Sequence, residues 1–335
     1  MELNVLWFIL VTVLFTGFFF LEGFDYGVGI LMPFLGKNDV ERRMIINTIG
    51  PVWDGNEVWM ITAGGALFAA FPSVYATLFS GFYLALFIML VGLIVRGVAF
   101  EFRSKDDSPL WRSAWDWMIF IGSLLPAVLW GVAVTNLIKG VPINGNMQYA
   151  GTFFDLLSPY TLLGGVAFMA VFIFHGALFL SLKIEKGPLV ERAHKAALGF
   201  GILAAVACLG LVAMTYSNTD LFKSAGAGTA LWGAILTFVI AYILALKAKF
   251  GWAFAFSGLT VALTTVAFFW GLFPRLMVSS LNPAWSLTIH NASSTPYTLK
   301  IMTIAALATV PIILGYQIWT YWVFRKRITA RDLEY

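Results

Sequence analysis

The sequence predicts an all-α polytopic integral membrane protein, and three observations carry that expectation. Of its 335 residues, 60% are hydrophobic and 11% charged, with a mean hydropathy of +0.86. Soluble domains carry about 25% charged residues. Apolar runs long enough to cross a bilayer, about 20 residues each, recur from one end of the chain to the other. Basic residues gather in the short segments between those runs. The whole of 1–335 therefore reads as a single membrane domain.

Taken in order, the apolar runs fall at 5–35, 51–72, 74–101, 117–138, 160–182, 196–216, 227–247, 252–273 and 300–324. That is nine transmembrane helices. No Lys or Arg precedes Lys37, so the basic n-region of a signal peptide is missing and the first run is expected to span. This run exceeds one span, and Gly23, Gly27 and Gly29 read as points where its helix is weakened or tilted. Only a turn near Pro72-Ser73 separates the second run from the third. The segments 139–159 and 274–299 are the two longer loops, and neither reads as a folded domain.

Loop charge sets orientation, because Lys and Arg accumulate on the cytoplasmic side. One side collects Lys37, Arg42, Arg43, Arg96, Arg103, Lys105, Arg112, Lys183, Lys186, Arg192, Lys195, Lys247, Lys249, Arg325, Lys326, Arg327 and Arg331, which is 17 of the 21 basic residues. The other side holds Lys139, Lys223, Arg275 and Lys300. An odd number of spans follows, with the N-terminus outside and the C-terminus cytoplasmic. The net charge of +4 is thus a topology signal rather than a polyanion-binding surface, and no nucleic-acid partner is expected.

Several chemistries are excluded within the chain. A single cysteine, Cys208, permits neither an intrachain disulfide nor a four-cysteine metal site. No P-loop, dinucleotide fingerprint or nucleophile triad is visible. Of three histidines only His175 sits in an apolar run, and it reads as a packing residue more readily than as a haem ligand.

The polar residues that stand out are acids. Glu22 and Asp25 lie near the end of the first run, and Asp54 and Glu57 near the start of the second. Each pair is spaced i, i+3, which puts both carboxylates on one helical face. Four charged carboxylates at the bilayer centre would cost about 10 kcal/mol on insertion scales. Acids in such positions mark a buried polar route by default, here one that passes protons inward through water. The plainer reading is that Glu22 and Asp54 are solvated at the headgroup boundary. Trp53, Asn56 and Trp59 lie among the acids and favour the functional one.

Trp7, Trp111, Trp115, Trp117, Trp130, Trp285, Trp319 and Trp322 fall near predicted helix ends, as an interfacial aromatic belt requires. Gly64-Gly65 and Gly164-Gly165 are small-residue pairs suited to close helix approach.

The run GFDYGVGILMPFLGKNDVERRMIINTIGPVWDGNEVWMITAGGALFAAFPSVYATLFSGFY resembles the N-terminal signature of subunit II of cytochrome bd-type quinol oxidases. WRSAWDWMIFIGSLLPAVLWGVAVTNLIKGVPIN, SLTIHNASSTPYTLKIM and VPIILGYQIWTYWVFRKRIT extend the resemblance along the chain, strongest over 23–145. It implies two four-helix bundles plus a peripheral helix, in the bacterial cytoplasmic (inner) membrane. It further implies a heterodimer with subunit I, which carries two b-type haems, a haem d (or b in its place) and the quinol site. The complex would oxidise quinol, reduce dioxygen to water and build a proton-motive force without pumping. Subunit II would bind no haem itself. Asp54 and Asp25 match acids that the family associates with proton delivery; Glu57 and Glu22 match less clearly. Trp59 matches a Trp beside a lateral oxygen route. Small single-helix accessory subunits, lipid and a structural quinone are further partners the resemblance brings to mind. From the acids alone, a proton-coupled secondary transporter or channel is the competing reading.

Overall fold

The computed structural model describes residues 2–333. Eleven α-helices account for most of them. Eight are long and apolar enough to cross a membrane. They begin with α1 (Leu3–Leu35), α5 (Tyr83–Phe102), α6 (Pro109–Lys139) and α7 (Pro159–Lys183). The others are α8 (Pro188–Asn218), α9 (Ala225–Leu246), α10 (Phe250–Leu272) and α11 (Pro296–Val323).

The expected second span is helical as α3 (Trp53–Ala70), but Asp54, Asn56 and Glu57 make its first turns too polar to count among the eight. The expected third span is two helices, α4 (Pro72–Gly81) and α5, broken at Phe82. Pro72 opens α4 at a position where its missing N–H costs nothing. The break follows directly on Gly81, a poor helix former. The Thr77 hydroxyl on α4 donates to the Met147 carbonyl, fastening the helix to the 140–158 loop. An eleven-residue helix, α2 (Asp39–Ile49), precedes the polar turn into α3. Asn38 caps it by accepting the Glu41 N–H at 2.9 Å, while the Glu41 carboxylate accepts the Lys37 N–H at 2.7 Å.

The centre of the molecule is α1, which packs on α3, α6, α7 and α10. It runs unbroken through Gly23, Gly27 and Gly29, contrary to the expected weakening. Those glycines serve contact instead. A Cβ on Gly27 would lie 1.9 Å from the Phe172 carbonyl oxygen, so only glycine lets α1 and α7 approach this closely. The pair Gly164-Gly165 packs on α6, as expected. Among the described residues nothing comes within 4 Å of a Cβ added at Gly64 or Gly65.

Around that axis α5 pairs with α6, α8 with α7, and α9 with α10. The last helix, α11, touches α1 and α3 and buries only Leu299. Two of the expected belt tryptophans are interior. Trp7 is buried and donates to the Leu299 carbonyl and Thr303 hydroxyl, and Trp130 packs edge-on against Phe15, Phe18 and Phe19. At the end opposite the basic segments, the two longer loops do fold against each other. The Val141 N–H of the first donates to the Val278 carbonyl of the second, and the Val141 carbonyl accepts the Ser280 N–H, each at 2.9 Å. Within the second loop β1 (Arg275–Met277) pairs antiparallel with β2 (Leu287–Thr288), over a core that includes Val141, Ile143 and Leu156.

Candidate functional site

A charge-bearing cluster sits inside the apolar helices α1, α3 and α5. Arg96 is its hub. This residue was expected among the loop charges, but it lies inside α5 and is fully buried. Its Nη1 donates to Glu57 Oε1 at 2.8 Å and to Glu22 Oε2 at 3.3 Å. The guanidinium also covers the rings of Tyr26 and Phe100, 5.1 and 5.4 Å from their centroids. Gly122 on α6 makes room for it, since a Cβ there would fall 2.7 Å from Arg96 Cβ.

Glu22 and Asp25, on one face of α1 as their spacing predicts, are both fully buried. Asp25 Oδ2 accepts the Asn56 side-chain amide at 2.6 Å, and Asn56 Oδ1 accepts the Tyr321 hydroxyl of α11 at 2.8 Å. Glu57 is mostly buried, with 16% of its side chain exposed. Three of the four expected acids therefore converge. Asp54, one turn before Glu57, does not join them and is exposed at the start of α3. The i, i+3 spacing suits a shared face, but the face turned inward by Asn56 and Glu57 leaves Asp54 at its rim.

The cluster holds three carboxylates against one guanidinium, so it can take up two protons before reaching neutrality. It is also short of protein hydrogen bonds. Glu22 Oε1, Asp25 Oδ1, Tyr26 OH, Arg96 Nε and Nη2, and nearby Ser123 Oγ are buried without a hydrogen-bond partner among the described residues. Buried polar atoms are rarely left unmatched, and in polar interiors ordered water completes them. This arrangement can store a proton and pass it between neighbouring oxygens.

Trp59 donates from Nε1 to Gln317 Oε1 at 2.9 Å, tying α3 to α11. Trp53 packs on Phe100 at 5.2 Å between ring centroids. His175 is fully buried and stacked on Phe254 at 4.5 Å. Its Nδ1 lies 2.7 Å from Ser257 Oγ and its Nε2 3.2 Å from the Phe20 carbonyl. With both ring nitrogens engaged it does not fit an axial haem ligand. Among the described residues no group of three or more His, Cys, Asp or Glu is placed to hold a metal ion.

Sequence reasoning missed Arg96, Tyr26 and Tyr321. A signal for the first existed: it is a lone basic residue inside the apolar stretch 74–101, with the acids needing a counter-charge. Nothing in the sequence marks Tyr321 among the aromatic residues of α11.

The model for the family described as cytochrome bd terminal oxidase subunit II matches residues 3–324. The chain belongs to that family. It is 47% identical to the cytochrome bd ubiquinol oxidase subunit 2 of Bacillus subtilis (strain 168), over 99% of this chain and 98% of that protein. To the cytochrome bd-I ubiquinol oxidase subunit 2 of Escherichia coli (strain K12) it is 41% identical, over 99% and 97%. Its fold matches a chain of the bd oxidase from Geobacillus thermodenitrificans with a TM-score of 0.80, at 18% identity, over 97% of this chain and all of that one. The resemblance read from the sequence thus holds along the chain, and a bd-type oxidoreductase complex in a membrane, with a subunit 1 partner, follows for this family. The transporter reading is not favoured.

Proposed function

We propose that this chain is the non-haem half of a bd-type quinol:dioxygen oxidoreductase of the bacterial inner membrane, and that it supplies protons to its partner. The observation that carries the proposal is the buried cluster of Glu22, Asp25 and Glu57 around Arg96, in helices otherwise apolar. On this reading α3 is the ninth span. The basic end faces the cytoplasm, with the N-terminus outside. The spans α1, α3, α4 with α5, and α6 form one four-helix bundle and α7 to α10 the other, and α11 is peripheral.

The haems and the quinol belong to subunit I. They supply the electron chemistry there, and no step is routed through them in this chain. What its own residues do is acid–base work. Asp54, exposed at the mouth of α3, takes a proton from the basic side. Glu57 Oε1 and Glu22 Oε2 are held by Arg96. That leaves Glu22 Oε1 and Asp25 Oδ1, with no protein partner, as the atoms where protons and water are held. Asn56 aims Asp25 by fixing its other oxygen. Support of subunit I assembly is a second duty, and lateral passage of oxygen past Trp59 a third.

The test is quinol-driven oxygen consumption by the whole complex carrying Asp25→Asn or Asp54→Asn, with haem content read from the visible spectrum. Intact haems with turnover reduced at least tenfold are expected for Asp25→Asn, and a smaller loss for the exposed Asp54→Asn. Normal turnover in both variants would remove the proton role and leave this chain a scaffold.

A further inference from the structure

We propose that the cleft between the α1–α2 turn, the end of α5 and the start of α6 binds the phosphate group of one anionic phospholipid. This goes beyond the proposed proton role and shares no residue with it. The cleft has a volume of about 250 Å³ and is lined by Lys37, Asp39, Arg42, Arg103 and Arg112 among others.

Its charges are not balanced internally. Among the described residues four cations, Lys37, Arg42, Arg103 and Arg112, meet three carboxylates, Asp39, Asp107 and Asp116, while Glu41 beside Lys37 is paired with Arg192 at 2.6 Å. Asp116, buried beneath them, accepts Arg103 Nε at 2.6 Å and Arg42 Nη1 at 2.7 Å, holding two guanidinium groups in place. Asp39 accepts from Arg103 at 2.9 Å and from Arg112 at 3.1 Å. Lys37 makes no ion pair among the described residues. Independently, Arg103 is 1% exposed, yet its Nη1 is buried with no hydrogen-bond partner among the described residues. A buried, charged N–H without an acceptor costs several times what an ordinary hydrogen bond contributes. It calls for an anion or water within the cleft.

The surroundings select a lipid. The cleft lies where the apolar helices end, at headgroup depth, and basic pockets between spans at this depth suit anionic headgroups. Beside it Phe34, Trp117 and Phe120 form an edge-to-face group, with centroids 5.4 to 6.0 Å apart. Phe34 and Trp117 are 52% and 46% exposed. They offer an apolar bed for an acyl chain three residues from Lys37 and next to Asp116.

The assembled complex in detergent, stripped of loosely held lipid, is titrated with dioleoyl phosphatidylglycerol and read by native mass spectrometry. Parallel titrations use dioleoyl phosphatidylcholine and competition by inorganic phosphate. One tightly held phosphatidylglycerol is expected. Lys37→Gln with Arg112→Gln should weaken it about 30-fold, roughly fivefold per basic residue at a membrane surface. Phosphatidylcholine binding should not change. Equal phosphatidylglycerol affinity in variant and parent overturns the proposal. So does complete displacement by millimolar phosphate, which would make a free anion the ligand. If the double variant fails to assemble, judged by its haem spectrum, the exposed single variant Lys37→Gln decides, with a fivefold loss expected and no loss refuting.

Discussion

Replacing Arg96 with glutamine removes the only positive charge in contact with Glu22 and Glu57 among the described residues. The Glu22 side chain is wholly buried, so it cannot recover the lost interaction from bulk water. Breaking a buried ion pair in this way costs about 3–5 kcal/mol, because a charge is stranded in a medium that cannot solvate it. Arg96 serves two carboxylates, which argues for the upper half of that range. Partial exposure of Glu57 returns some of it, leaving about 4 kcal/mol. The compensated variant Arg96→Gln, Glu22→Gln, Glu57→Gln removes all three charges and keeps polar shape. Its cost should fall to about 1–2 kcal/mol, the scale of imperfect neutral hydrogen bonds. Denaturant unfolding of the purified complex in detergent, with haem absorbance as the assembly marker, measures both. If the triple variant is as unstable as Arg96→Gln alone, charge compensation is not what the cluster provides, and packing of the long side chain is.

Gly27→Ala should prevent close docking of α1 on α7 and cost at least about 1–3 kcal/mol, as overpacking does. Gly64→Ala, inside α3 with nothing within 4 Å of the added Cβ, should stabilise the chain by about 0.5–1 kcal/mol in denaturant unfolding, whereas a loss of stability confined to the assembled complex would report a partner seated there. Trp59→Phe removes the bond to Gln317, a loss of about 1 kcal/mol, and should speed amide exchange in α11 more than in α7. Asp220, in the loop after α8, is held below the usual aspartate range by its two-bond pair with Arg275, at 2.9 Å each. A depressed carboxyl stabilises above its unfolded value and loses that contribution as pH falls through the folded one. The gap in thermal midpoint between parent and Asp220→Asn should therefore be present at neutral pH and close below about pH 4. A gap independent of pH would show that the pair contributes shape alone.

The helices of this chain were legible because bilayer thickness imposes a length, and each long apolar helix begins and ends within a few residues of its expected run, apart from earlier starts in α6 and α8 and the later start of α5 after the break at Phe82. The exceptions have physical causes. Hydropathy over a run cannot place the break at Phe82, which depends on Gly81 and on the loop that grips Thr77. The helix α2 carries its own signal in Asn38 and Glu41, three residues apart, but it is too short and polar to register as a span. In the cluster, spacing paired Glu22 with Asp25 but misjudged Asp54, since a 100° step per residue separates faces only once the inward direction is known. Arg96 was hidden by counting it with the loops, although its place inside an apolar stretch was plain. The Tyr26 ring beneath Arg96 and the Tyr321 hydroxyl on Asn56 join the cluster through tertiary contacts that no local pattern encodes.

The order of synthesis adds a consequence. Glu22, Asp25 and Glu57 leave the ribosome before Arg96, and Tyr321 emerges almost last. During insertion the early helices carry acids whose counter-charge is still being made, and the hydroxyl that anchors Asn56 comes only with the final span. The nascent chain must therefore keep α1 and α3 in contact with water or with the insertion machinery until α5 arrives. A ribosome paused between residues 57 and 96 would hold this protein at its most exposed moment.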